Sequence, residues 1–519
     1  MSAPAAALGR TTRPRSVSAW FDGVTGRVTM YRLVLLALLA LLVWSLIAAA
    51  LGLIAYSPLA IVVGALVACV ATVVSTRLLA LAFRAKAHTE SSFVTALILV
   101  FLFQPSLTGT GIAALAIAGA VASASKYLLA IRGRHVANPA AIAAVVMSVA
   151  IPAAFPGWWI GSPAMLPVVL VASLAILRRT RKLTMGLVFA VVAIAGVTLA
   201  SMSFGTALPA ALSNAVLSSP VVFFAGFMLS EPLTLPPRRW QQLALAVIVG
   251  VLFALPFHVG PLYGTYELAL VIGNVLAFAV GQRRRVALEF VERRRLTPTA
   301  WEVAFRPRRP VAFRAGQFLE LSIPHAGADV RGQRRVFSIV SAPSEPDVIR
   351  IGIKAADPSS TFKSRLLALG DGETVSATVV GGDFTLPADA SVPLLLVAGG
   401  IGVTPFVSQL AEAAARDELR DVVVVLSAST PDELAYLGEL RLGAGRGIVL
   451  TQELPAHLPP GWTYAGRGPL TVEHLRDLVP DAHRRRAYVS GSPRLVAGVK
   501  AVMKRAGVHR TTTDAFTGY

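Results

Sequence analysis

Leu394-Leu395-Leu396-Val397-Ala398-Gly399-Gly400-Ile401-Gly402-Val403-Thr404-Pro405 is an apolar run that passes through three glycines to a proline. An unbroken apolar run of this length suits a strand covered on both faces, as in a parallel sheet. Gly399, Gly400 and Gly402 let backbone come close to a dinucleotide pyrophosphate, with Ile401 between them. After Thr404, Pro405 presets a helix start whose free amides favour an anion. Alternation continues downstream: strand-like 422–426, a helix from Pro431, strand-like 448–450, a helix near Val472, Tyr488-Val489, and a helix from Pro493. Strands alternating with helices predict a parallel sheet with ligands at the carboxyl ends of its strands. The turn lacks the full Gly-x-Gly-x-x-Gly and is informative only in this strand-to-helix context. Thr430-Pro431-Asp432-Glu433 reads as a capping box.

Upstream the texture differs. Runs at 286–291, 301–305, 318–323 and 349–353 are short, β-branched or aromatic, and split by turn residues, which predicts a small antiparallel barrel. Arg335-Val336-Phe337-Ser338 sits on one such strand, where alternate side chains share a face. Arg335 then offers a guanidinium to a pyrophosphate, and beside it Phe337 offers a ring to an isoalloxazine. Ser338 places a hydroxyl near flavin N5, a candidate catalytic role. Lys354, and Ser360, Thr361 and Phe362 at the start of an apparent helix, form an anion seat that completes a diphosphate clamp. A plain N-cap is the alternative there.

Over the 519 residues, 55% hydrophobic and 15% charged content, with a mean hydropathy of +0.66, do not describe a soluble protein. The net charge of +20 does not point to nucleic acid, because the basic residues before Arg283 lie in short loops between apolar runs. Cys69 is the only cysteine, which excludes disulfides and cysteine-ligated iron–sulfur clusters. In the first half His88, His135 and His258 sit at loop edges and do not supply facing pairs for haem, so no metal site is expected.

Apolar stretches near 31–56, 57–76, 92–104, 109–130, 138–152, 164–177, 184–203, 208–230, 239–256 and 266–281 predict about ten spans. Several fall short of the ~20 residues that cross ~30 Å of hydrocarbon, and 92–104 and 138–152 read as broken or re-entrant. Lys and Arg mark alternate connections: the N-terminal arm (Arg10, Arg13, Arg15, Arg27, Arg32), Arg84 with Lys86, Lys126 with Arg132 and Arg134, residues 178–182, and Arg238 with Arg239. Both termini are therefore expected in the cytoplasm, with the arm acting as an uncleaved signal-anchor. Ser91-Ser92-Phe93-Val94, followed by Leu102 and Pro105, recurs as Ser218-Ser219-Pro220-Val221 with Leu229 and Pro232 at one offset. An inverted repeat would do this, and such repeats hold ligands between their halves. Asn138 and Glu231 are polar groups at span ends, either functional or simple caps.

These segments resemble the membrane flavoprotein subunits of the Rnf complex (its D subunit) and of the sodium-pumping NADH:quinone oxidoreductase (its B subunit). The likeness is carried by Ser92-Phe93-Val94-Thr95-Ala96-Leu97, by Lys126-Tyr127-Leu128 together with Asn138-Pro139-Ala140, and by Phe227-Met228-Leu229-Ser230-Glu231-Pro232-Leu233-Thr234. It implies a second flavin, FMN or riboflavin, in the membrane, with Thr95, Asn138, Glu231 and Thr234 as candidate contacts. Ser203-Phe204-Gly205-Thr206-Ala207 breaks the order of the Ser-Gly-Ala-Thr type motif used for covalent attachment, which argues for noncovalent binding.

The C-terminal half is similar to the ferredoxin–NADP⁺ reductase-like family through Gly316-Gln317-Phe318, 335–338, Gly382-Asp383-Phe384, 398–406, Ser490-Gly491-Ser492-Pro493 and the closing Asp514-Ala515-Phe516-Thr517-Gly518-Tyr519. The resemblance implies FAD in the barrel and NADH or NADPH on the second lobe. It places Gly491 and Pro493 beside the nicotinamide, Ser490 where many relatives carry a cysteine near the hydride path, and Phe516 and Tyr519 at the closing end. Phe337 replaces the commoner tyrosine. Residues 426–430 carry neither a ribose-binding acid nor an Arg for a 2′-phosphate, which leans towards NADH.

The expectation is a multi-domain chain: a cytoplasmic basic arm at 1–30, a polytopic α-helical membrane domain at 31–281, an antiparallel β-barrel FAD domain at 286–390 and an α/β NAD(P)-binding domain at 391–519. In a plasma or inner membrane it would move electrons from NAD(P)H through a membrane flavin to an extracytoplasmic partner bearing flavin. The alternatives are transfer to a quinone in the lipid, or a transporter under redox control.

Overall fold

The computed structural model describes residues 30–84, 89–131, 134–151, 155–260, 262–281, 285–329, 333–355 and 359–516. Residues 1–29, Lys86, His88, Arg132 and Tyr519 lie outside the described residues.

Among its described residues the first half holds the apolar helices α1 (Met30–Ala50), α2 (Pro58–Ala82), α3 (Thr89–Leu102), α4 (Gly109–Leu128), α5 (Pro139–Ala150), α6 (Leu166–Arg179), α7 (Leu183–Ser203), α8 (Leu208–Leu217), α9 (Arg239–Ala254) and α10 (Tyr266–Val280), with a further helical stretch at Val221–Leu229. Four of them, α1, α2, α4 and α7, are long and apolar enough to cross a membrane. A fifth crossing forms if α8 is joined to Val221–Leu229, from which it is bent by 42°. The 14 residues of α3 and the 12 of α5 cover only about 21 and 18 Å at 1.5 Å per residue. The stretches 92–104 and 138–152 are thus short helices whose ends must be satisfied within the protein. For α3 this happens through Trp158, whose amide donates to Leu102 O at 2.8 Å.

The two copies of the sequence echo differ locally. Ser91 opens the continuous α3, whereas Ser218 caps the end of α8, and Pro220 separates it from a π-turn at Phe224–Leu229. Gly226 in that turn lets it lie against α6: a Cβ there would stand 2.4 Å from Ser173 Cβ. Small residues at such crossings let helix backbones approach closely.

In the second half, β1 (Val286–Arg295), β2 (Ala300–Pro307), β3 (Phe318–Ser322), β4 (Arg334–Ser338), β5 (Ile349–Lys354) and β6 (Thr374–Gly381) form an antiparallel sheet in the order β4-β3-β6-β1-β2-β5. A bridge between Ile339 and Ile351 brings the two edges together. Alternate residues such as Val303, Phe305, Leu319, Leu321, Ile351 and Ile353 fill the interior. The seven-residue α11 (Thr361–Leu367) plugs one end with Phe362 and Leu366.

The remainder is a six-stranded parallel sheet, in the order β10-β9-β8-β7-β11-β12: β7 (Leu394–Gly399), β8 (Val422–Ser427), β9 (Arg446–Leu450), β10 (Trp462–Tyr464), β11 (Arg486–Gly491) and β12 (Thr511–Ala515). Residues 394–398 are at most 1% exposed, because helices cover both faces. These are α12 (Thr404–Ala415), α13 (Leu437–Gly443), α14 (Val472–Leu478) and α15 (Pro493–Arg505). The expected helix from Pro431 is only a single 3₁₀ turn, Pro431–Glu433, and the α-helix starts at Leu437. No side-chain bond from Thr430 caps that turn, so the capping-box reading is corrected. Glu433 turns instead to the barrel.

Candidate functional site

On β4 the predicted alternation holds. Arg335 is 1% exposed, Val336 points outward, and Phe337 lies on the same side as Arg335. The Arg335 guanidinium sits 5.0 Å over the Phe362 ring and donates to Asp329 Oδ1 at 3.2 Å and to Arg334 O at 2.7 Å. Phe337 stacks on Phe362, with centroids 6.0 Å apart and planes 28° apart. Arg335, Phe337 and Phe362 are therefore one cluster. Ser338 is buried opposite Phe318, which in turn pairs with Gly381 on β6.

The hydroxyls at α11 are mostly committed. Ser360 caps the helix by accepting from Lys363 N at 3.3 Å, which is the plain N-cap alternative. Thr361 Oγ1 accepts from Asp329 N at 3.0 Å and lies 3.2 Å from His325 Nε2. Neighbouring Ser359 keeps a buried hydroxyl with no partner among the described residues. The Lys354 ammonium pairs with Glu433 at 3.3 Å and so joins the barrel to the α/β lobe. Burial works to raise the Glu433 carboxyl, but the Thr299 hydroxyl, at 2.6 Å, and Lys354 outweigh it and hold the group below its usual range.

At the glycine turn, a 3₁₀ turn Gly400–Val403 leads from β7 into α12. Gly400 has φ +53°, and nothing lies within 4 Å of where its Cβ would be, so the backbone is open there. Gly402 is closed: a Cβ would come 2.6 Å from Gly491 Cα and from Ser490 O. Gly491, at φ +147°, thus stands directly against the turn, with Pro493 opening α15 beyond it. Phe516 N donates to Gly491 O at 2.8 Å, which brings the closing segment to the same place. Ser490 is fully buried, and its hydroxyl has no partner among the described residues.

Thr404 and Ile401 lie against the barrel. A Cβ on Gly352 of β5 would meet Thr404 Cγ2 at 2.4 Å and Ile401 Cδ1 at 3.2 Å. Tyr436 completes this seam in a left-handed conformation, φ +62°, donating to Glu302 Oε2 at 3.0 Å. Burial, with Glu302 beside it, pushes its hydroxyl pKa up. Sequence reasoning missed Gly352, Glu302 and Tyr436, since no local pattern marks a contact between lobes.

In the helical half, Asn138, Glu231 and Thr234 do come together. Asn138 Nδ2 donates to Glu231 Oε2 at 2.9 Å, Asn138 N donates to Asn274 Oδ1 at 2.9 Å, and Thr234 Oγ1 donates to Glu231 O at 3.3 Å. Asn138 also caps α5 through Ala140 N and Ala141 N. Thr95 stays outside this cluster and bonds Ser91 O of its own helix at 2.8 Å. Unforeseen is a cavity of about 410 Å³ at the broken helix ends, lined by Tyr56, Trp158, Trp159, Ser162, Pro220 and Tyr266. Behind it Glu267, 1% exposed, accepts from Trp158 Nε1 at 3.0 Å and from Ser148 Oγ at 3.3 Å. No group of three or more His, Cys, Asp or Glu poised for a metal occurs among the described residues.

The open turn at Gly400 and the two unpartnered hydroxyls, Ser359 and Ser490, fit a dinucleotide and a flavin. Comparison with known proteins points the same way. Residues 396–501 match the model of the oxidoreductase NAD-binding domain family. The chain is 30% identical over 229 residues to an aromatic O-demethylase reductase subunit from Amycolatopsis, covering 41% of this chain and 66% of that one. It is 28% identical over 196 residues to a flavohemoprotein from Bordetella pertussis, covering 36% and 48%. The chain thus spans about half to two thirds of the length of these curated relatives. Among solved structures, an Amycolatopsis cytochrome P450 reductase superposes with a TM-score of 0.38 at 26% identity, covering 45% of this chain and 70% of that one. Residues 396–501 thus resemble an oxidoreductase NAD-binding domain, and the C-terminal half is similar to FAD/NAD-binding reductase subunits.

Proposed function

We propose that the chain is a membrane-bound oxidoreductase that takes hydride from cytoplasmic NAD(P)H onto FAD in the barrel and sends the electrons through the helical half to an extracytoplasmic acceptor. The observation that carries this reading is the union, in one chain, of the Arg335–Phe337–Phe362 cluster, the Gly400 turn set against Gly491, and the apolar helices of the first half. Bound FAD supplies the exchange between hydride and single electrons, and the protein supplies position and electrostatics.

Arg335 holds the flavin diphosphate, Phe337 covers the ring, and Ser338 directs its hydroxyl to the reacting edge. Gly399, Gly400 and Gly402 admit the nicotinamide dinucleotide's phosphates. Gly491, Pro493 and Phe516 shape the nicotinamide side, and Ser490 stands behind them without a cysteine's reactivity. A hydrocarbon layer ~30 Å thick is too wide for one group at its inner surface, so the reading includes a second redox group, FMN or riboflavin, among the helices. The cavity at Trp158 and the cluster at Asn138 are its two candidate seats.

The test uses the full chain in liposomes. NADH added outside should reduce an impermeant acceptor trapped within, and acid extraction should yield FAD with a second flavin. Reduction of added quinone alone would establish the second reading, an NAD(P)H:quinone reductase, which the aromatic cavity at the outward helix ends favours.

A further inference from the structure

Loops of the helical half grip the barrel at one place. Pro237 packs on Gly381 so closely that a Cβ on the glycine would lie 2.9 Å from Pro237 Cβ. Two residues on, Arg239 N donates to Asp383 Oδ2 at 2.8 Å. A second grip falls on β12, where the Arg181 guanidinium donates to Ala515 O at 3.2 Å. These loops are braced against each other. Lys182 Nζ donates to Gln242 Oε1 at 2.5 Å, Gln242 Nε2 donates to Pro236 O at 2.8 Å, and Arg239 Nη2 reaches Thr184 Oγ1 at 3.4 Å. The contacts therefore belong to a platform rather than to stray surface side chains, whose pairings would contribute little.

Their landing point matters. Gly381 pairs with Phe318, and Phe318 with Ser338, so the three form one row across β6, β3 and β4. With strands ~4.8 Å apart, Gly381, on which Pro237 packs, stands about 10 Å from the flavin strand. On its other side, Pro237 follows the segment that carries Glu231 and Thr234, the partners of the Asn138 cluster. The clamp thus joins the row that ends at Ser338 of β4 to the segment that carries Glu231 and Thr234.

We propose that residues 235–239, held between Gly381 and Asp383 and seconded by Arg181 on Ala515, form the face through which electrons enter the helical half, and that the reductase half works docked there rather than as a swinging domain. The inference rests on the reading that electrons pass from barrel to helices. In each turnover NAD(P)H is oxidised to NAD(P)⁺, releasing two electrons and one proton. A quinone- or flavin-class acceptor takes both electrons with two protons from the medium. In this proposal Asp383, Arg239 and Arg181 act as positioning residues, through their bonds between the two halves.

The test locks the clamp. In the full chain with Cys69→Ser, the pair Pro237→Cys and Gly381→Cys places two sulfurs where a disulfide closes after a small opening of the contact. Mild oxidation should cross-link them, and the locked protein should reduce a trapped acceptor within about twofold of its reduced form. Failure to cross-link, or a loss on locking greater than about tenfold, overturns the proposal. Independently, Asp383→Ala combined with Arg181→Ala should leave stopped-flow reduction of FAD by NADH unchanged, slow onward transfer about tenfold or more, and raise amide exchange at Arg238 and Arg239. Onward transfer untouched by those substitutions sinks the clamp alone. A wild-type chain whose reduced FAD passes no electrons onward overturns the function and the clamp together.

Discussion

Arg335 shows how much rests on one side chain. Its charge is fully buried beneath Phe362 and is answered by Asp329 and a main-chain carbonyl. Arg335→Ala should cost about 3 kcal/mol, because it strands a partner and hollows the barrel end, and the purified protein should lose its absorbance near 450 nm as flavin is released. Arg335→Lys should restore little, since a point charge lacks the planar fork. Gly402 is the counterpart in the second lobe. Gly402→Ala drives a methyl into Gly491, costs roughly 1–3 kcal/mol, and should raise the KM for NADH while flavin content stays normal. A variant with unchanged KM would show that the turn does not carry the nucleotide.

Among elements, β12 and the break after α8 are the two that tertiary context tunes. Burial raises the Asp514 carboxyl from an ordinary 3.8 to about 6, with Arg181 pulling the other way. A raised carboxyl binds its proton more tightly in the folded chain, so its stabilising contribution is complete below pH 3.8 and is lost as pH rises through about 6. The C-terminal strand should therefore loosen across that window, seen as rising amide exchange at 511–516. Asp514→Asn should flatten the profile, and a profile unchanged by the substitution would place the titration elsewhere. In the π-turn, Gly226→Ala meets Ser173 and should lower thermal stability by roughly 1–3 kcal/mol without altering reduction of FAD by NADH.

For the whole molecule, the placement of basic residues predicts which loops face the cytosol. Single cysteines introduced at Arg181 and Arg239 into the Cys69→Ser chain should react with an impermeant maleimide only from the cytoplasmic side, and cysteines at Ser57 and Tyr263 only from the outside. The reverse pattern would invert the direction of electron flow. What the sequence by itself determined was whatever is written in local chemistry. The unbroken apolar run 394–398 demands a strand covered on both faces, the alternation in 335–338 puts Arg335 and Phe337 side by side, and the long apolar stretches between basic loops demand apolar helices. What only the tertiary structure decided was which polar groups are already spent. Lys354 has the charge to hold a phosphate but meets Glu433, Thr404 faces Gly352, and Asn138 finds Glu231 and Asn274 from distant helices. Nothing local encodes those meetings, nor the clamp of Pro237 and Arg239 on the barrel, because each arises between segments far apart in the chain, where the free energy of a contact depends on a neighbour the local sequence does not name.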